Sequence, residues 1–93
     1  VVWDNRYNGK EDMVMNEDEI RAMANDDGQI YIPVSSSFIE AISYDLEVNV
    51  LIVSFLSGND TAYTHCSFEK FVDFVNGKGT GGSVGAYYNL YIK

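Results

Sequence analysis

Three β-like stretches separated by gaps of only five residues constrain this chain more than any other feature of it. Residues 38–44, 50–55 and 61–66 are rich in β-branched and aromatic side chains, and Leu51, Val53 and Phe55 recur at period two, so one face of the middle stretch is apolar. Neither gap can hold the crossover that a parallel pair requires. The spacing therefore predicts an antiparallel meander, with Ser57-Gly58-Asn59-Asp60 as one of its turns.

The period then changes. Ser67 precedes Phe68, Phe71, Val72 and Val75, a stripe at i, i+3, i+4 and i+7 that Phe74 widens, so an amphipathic helix capped by Ser67 is expected. It should stop at Asn76-Gly77, where a segment with five glycines in nine residues begins. Ser83 can cap a last helix whose face is Val84, Tyr87, Tyr88 and Tyr91. Strands followed by helices imply an α+β fold, a small antiparallel β-meander with two C-terminal helices packed on one face. Ahead of it, Asn8-Gly9 between Val1-Val2-Trp3 and Met13-Val14-Met15 reads as a hairpin. Asn16 before Glu17-Asp18-Glu19 reads as the cap of a short helix over 17–24, ended by Asn25-Asp26-Asp27-Gly28. Ile30-Tyr31-Ile32 is a short extended piece stopped by Pro33. The expected division is an acidic N-terminal extension over 1–30, hairpin plus short helix, and an α+β domain over 31–93.

Ninety-three residues, 46% of them hydrophobic, suffice for one core and not two. No apolar run approaches the roughly 18 residues of a membrane span, and the opening residues lack a signal-peptide pattern, so a cytoplasmic protein is expected. A single cysteine, Cys66, allows no internal disulfide and no zinc site of its own. The net charge of −8 argues against direct nucleic-acid binding, which needs clustered cations, and against an anionic membrane surface. The acidity concentrates in residues 1–30, with eight acids against three bases. Glu17, Asp18, Glu19, Asp26 and Asp27 are therefore candidates for a negative face that imitates a row of phosphates to a basic protein, or for a merely solvated helix end.

Other groupings are weaker. His65 and Cys66 suggest a base and nucleophile, but neighbours on a strand point to opposite faces, and no catalytic role is expected. Asn25-Asp26-Asp27-Gly28 fails as a calcium loop, because Met23 and Val34 fall where carboxylates are required. No metal or cofactor is expected. The glycine segment lacks both the G-x-x-x-x-G-K-S/T spacing and a preceding strand, though its backbone with Lys78 could hold an anion. Seven tyrosines, among them Tyr63, Tyr87 and Tyr88, either fill the core or offer stacking faces to a nucleotide.

From Val34 onward the chain carries Ser36-x-x-Ile39-x-x-Ile42, Tyr44-Asp45, Leu51-x-Val53-x-Phe55-x-x-Gly58 and Ser83-Val84-Gly85 ending in Tyr87-Tyr88-Asn89. This succession resembles the KTSC family, small domains named for the C-terminus of some lysyl-tRNA synthetases and also found alone. The resemblance implies a small α+β fold without a recognised catalytic apparatus; a nucleic-acid-binding role has been suggested for the family. The chain departs from it at Tyr63-Thr64-His65, where a Tyr-x-Tyr is usual, at Cys66-Ser67 in place of Val-Pro, and in a longer glycine loop. The expected function is that of a non-catalytic acidic inhibitor or adaptor docking on a basic, nucleic-acid-handling protein, a phage-type anti-defence role included. The alternative is a nucleotide- or nucleic-acid-binding module using Tyr63, His65, Lys78, Ser83, Gly85, Tyr87, Tyr88 and Asn89. Self-association through an apolar sheet edge is left open.

Overall fold

The computed structural model describes residues 15–93; the hairpin expected over the first fifteen residues therefore falls almost wholly outside the described residues. The elements are α1 (Glu17–Arg21), β1 (Gln29–Pro33), β2 (Ile39–Asp45), β3 (Val50–Phe55), β4 (Asp60–Tyr63), α2 (Phe68–Asn76) and α3 (Val84–Tyr87), the last running into a wider turn over Tyr88–Ile92. The strands form one antiparallel sheet in the order β1-β2-β3-β4. The fold is α+β, with the C-terminal helices on one face of the sheet.

Sheet register sorts the side chains. Ile30, Tyr44, Leu51 and Tyr63 lie opposite one another in one row, Ile32, Ile42 and Val53 in the next, and these rows face the helices. Leu51 and Val53 are fully buried, as their alternation requires, and Phe71, Val72 and Phe74 supply the facing stripe of α2. Burying each such side chain contributes on the order of 2 kcal/mol.

Three expectations change. Among the described residues the sheet has four strands, because Ile30-Tyr31-Ile32 pairs with β2 along its whole length; the boundary drawn after residue 30 thus falls inside β1. The edge of β1 is guarded locally, since Asn25 takes both the N–H and the C=O of Gln29, and Pro33 has no N–H to offer. The stretch read as a strand over 61–66 ends at Tyr63, because His65 adopts a left-handed conformation, φ 58°, and swings the chain inward so that Cys66 N–H reaches the carbonyl of Asn49 at 3.0 Å. Helix α1 is one turn rather than two. Its N-terminus has the expected cap in full, Asn16 Oδ1 accepting from Glu19 N–H at 2.8 Å while Glu19 Oε1 accepts from Asn16 N–H at 3.0 Å.

Helix α1 is also no loose appendage. Ile20 is fully buried in the core, the Arg21 guanidinium lies 4.3 Å from the Phe68 ring centroid, and Asn76 clasps the Met15 backbone from both sides, at 2.9 and 2.7 Å.

Candidate functional site

The acids fall on surfaces that local hydrogen bonding leaves open. Asn25 Oδ1 accepts from Asp27 N–H at 3.0 Å and Gln29 N–H at 2.9 Å, a turn that closes on the asparagine and leaves the Asp26 and Asp27 carboxylates exposed. The same turn meets the β2–β3 connection. Leu46 N–H donates to the Gly28 carbonyl at 2.8 Å, and the Glu47 side chain lies against Gly28. The fold thus adds Asp45 and Glu47 to Asp26 and Asp27 at one end of the sheet, a grouping across some twenty residues that sequence reading missed. Among the described residues the one ion pair is Lys78–Asp73 at 4.0 Å, so these four carboxylates have no cation partner there. Glu17 and Asp18 are exposed on α1; Glu19 is exposed as well but is committed to its capping box.

The tyrosines resolve differently. Tyr88 is buried, edge-on to Phe38, Phe55 and Tyr63 and stacked on Phe74, while Tyr87 is buried and stacked on Phe74 at 5.7 Å. Their ring faces are spent on the core, and no nucleobase can stack there. Tyr91, expected on the same buried face, is 52% exposed, because the chain widens past Tyr88 to an i→i+5 hydrogen bond, Lys93 N–H to Tyr88 O. Asn89 is exposed, Ser83 is occupied as the cap of α3, and the face of Gly85 abuts the Phe38 ring. Lys78 projects to solvent from the glycine loop, which folds on itself through Thr80, whose hydroxyl lies 2.7 and 2.8 Å from the carbonyls of Gly77 and Ser83 and shares its one proton between them. Of the eight residues of the nucleotide reading, Tyr63 and His65 line one hollow with Leu51 and Tyr91, while Lys78 lines another with the glycine loop and Val34.

Tyr63 and Tyr88 share a hydroxyl–hydroxyl hydrogen bond of 2.8 Å. Burial, reinforced by that bond, pushes the Tyr63 phenol up to about 12. An unfolded tyrosine ionises near about 10, so this phenol's stabilisation is complete below that pH and is lost as pH rises from about 10 through about 12. Burial raises Tyr44 and Tyr87 as well, so an alkaline titration followed by tyrosinate absorbance should show late ionisation that Tyr63→Phe diminishes; late ionisation of undiminished amplitude in that variant would contradict the assignment.

His65 and Cys66 diverge as expected, although not because they share a strand. Cys66 is buried, its thiol donates to the Ser67 carbonyl at 3.6 Å, and burial pushes its ionisation up, partly offset by Lys70. His65 is exposed on its left-handed turn. Burial keeps the thiol protonated and so a poor nucleophile, although His65 and Cys66 line the same small hollow with Tyr63 and Tyr91. The Cys66 backbone belongs instead to a structural knot: its carbonyl accepts from the buried Tyr44 hydroxyl at 2.5 Å, which in turn accepts from Asn49 Nδ2 at 2.8 Å. Among the described residues no three His, Cys, Asp or Glu side chains are grouped to hold a metal ion.

A family model for the KTSC domain matches residues 35–93. The chain belongs to the KTSC family. It is similar to the crystal structure of a KTSC domain protein from Yersinia pestis, with 26% identity and a TM-score of 0.61 over 70% of this chain and 86% of that one. No curated protein matches it. The KTSC match begins just after β1, so α1, β1 and the acidic Asn25–Gly28 turn precede it, yet Ile20, Ile30 and Ile32 are part of the same buried core. The Tyr44 of the KTSC-like Tyr-Asp pair makes the knot with Asn49 and Cys66, and Gly85 of the Ser-Val-Gly run is where α3 meets Phe38. Those motif residues serve the fold. No helix among the described residues is long and apolar enough to cross a membrane.

Proposed function

We propose that this KTSC protein is a non-catalytic binding module that docks through its acidic end on the basic surface of a nucleic-acid-handling protein, as an inhibitor or adaptor. The observation that carries this reading is the gathering of Asp26, Asp27, Asp45 and Glu47 at one end of the sheet with no cation among the described residues to neutralise them. Uncompensated carboxylates attract a basic surface over about a Debye length, roughly 8–10 Å at ordinary ionic strength, and mimic the phosphates such a surface normally meets. Glu17 and Asp18 extend the field from α1, which the core holds in place through Ile20.

The test is charge reversal that spares Glu19, since that residue closes the α1 cap. Glu17→Lys, Asp18→Lys, Asp26→Lys and Asp27→Lys together should reduce capture of basic proteins from lysate by more than tenfold at low salt while leaving the circular dichroism unchanged. Capture undiminished at low salt would overturn the reading.

A further inference from the structure

Tyr31 stands apart from every other described tyrosine. It is 59% exposed, and among the described residues no aromatic ring packs against it, whereas Tyr44, Tyr63, Tyr87, Tyr88 and Tyr91 all have ring neighbours. The register places it on the sheet face turned away from the core, directly opposite Ser43, with Ile52 next in the same row. One row along, on that same face, Asp45 pairs with Gln29, so Asp45 is the diagonal neighbour of Tyr31. Diagonal pairs are separated by about 7–8 Å, close enough for a long side chain to touch both. These residues, with Asn25, line a hollow of about 330 Å³.

An open aromatic face beside a carboxylate has one chemical preference. The electron-rich ring attracts a cation, a planar guanidinium best of all because it can also stack, and the carboxylate pairs with its N–H groups. Asp45 Oδ1 accepts from Glu47 N–H at 2.9 Å, which holds the carboxylate in place and leaves its other oxygen for a ligand. Asp26, Asp27 and Glu47 border the same end of the sheet, so a phosphate is repelled from the ring that could otherwise stack a base.

We infer that the Tyr31 hollow seats an arginine side chain of a protein partner, its guanidinium lying on the Tyr31 ring and paired with Asp45. This rests on the basic-partner reading above and names the residue type that is recognised.

The whole chain, isotopically labelled, would be titrated at low salt with three probes: a short peptide alternating arginine and glycine, its lysine counterpart, and a single-stranded oligonucleotide. The expected result is amide shifts centred on Gln29, Tyr31, Ser43, Asp45 and Ile52 with the arginine peptide and weaker ones with the lysine peptide. Tyr31→Ala and Asp45→Asn should each weaken arginine-peptide binding about tenfold. Both changes spare the core, because Tyr31 is exposed and asparagine keeps the oxygen that accepts from Glu47 N–H. Peptide shifts centred on Glu17 and Asp18, or variants that bind as well as the parent, would overturn the arginine seat and leave the basic-partner reading standing. Absence of any peptide binding would count against both. Shifts at Tyr31 from the oligonucleotide alone would replace the seat with a base-stacking site.

Discussion

Gly77→Ala should cost this protein about 2–5 kcal/mol, lowering its melting temperature by roughly 10–25 °C. Two separate penalties combine at this position. Gly77 ends α2 in the left-handed region, φ 58° and ψ 43°, where an alanine costs about 1–2 kcal/mol. A methyl there would also sit 2.5 Å from Ser83 N and hard against the Gly82 carbonyl carbon, backbone atoms that cannot move without displacing the cap of α3. Gly79→Ala is the matched control. Its φ of +78° imposes a similar conformational cost, but nothing lies within 4 Å of the added carbon. Thermal unfolding of the two variants separates strain from collision: Gly77→Ala should melt well below Gly79→Ala, and equal melting temperatures would show that the close approach of the loop to its own return is absent in solution.

Phe74→Ala should be as damaging, about 3–5 kcal/mol. Its ring is fully buried and stacks on Tyr87 at 5.7 Å and on Tyr88 at 6.2 Å, so it fastens the C-terminal turns to α2. A chain of 93 residues has a total stability of about 5–14 kcal/mol, of which this one ring is a large part. Denaturant unfolding should show the lower midpoint, and the late tyrosine titration should move toward its ordinary range as Tyr88 loosens its hold on Tyr63. Phe74→Leu, which keeps most of the volume, should lose less than half as much. Should the alanine variant unfold at the parent's midpoint, the aromatic cluster would not be what secures α3.

These two sites differ in how readable they were. Phe74 belongs to a stripe at helical spacing, and Asn76-Gly77 is a recognisable helix end, so both roles follow from a few neighbouring residues. The collision at Gly77 does not, because it depends on a return of the loop at Gly82 and Ser83 that no local rule dictates. The candidate site divides along the same line. Glu17 and Asp18 were identifiable as exposed acids from their place in a capped first turn, whereas the contribution of Asp45 and Glu47 required the contact between Gly28 and Leu46. Tyr63, Tyr87 and Tyr88 looked as available as Tyr31 did, since a tyrosine is equally suited to a core and to a surface.

The linear pattern was sufficient for whatever depends on neighbours in the chain: the alternation of Leu51 and Val53, the stripe of α2, the caps at Asn16, Ser67 and Ser83, the turn at Asn25, and the KTSC resemblance those features carry. Tertiary structure alone decided which tyrosine rings were used up by packing, that Ile30-Tyr31-Ile32 became a fourth strand, that His65 turned the chain inward, and which carboxylates share one end of the sheet. Caps and periodicities are set by hydrogen bonds and burial within a few residues, while strand pairing and ring burial are contests among distant segments that are settled only when the chain closes on itself.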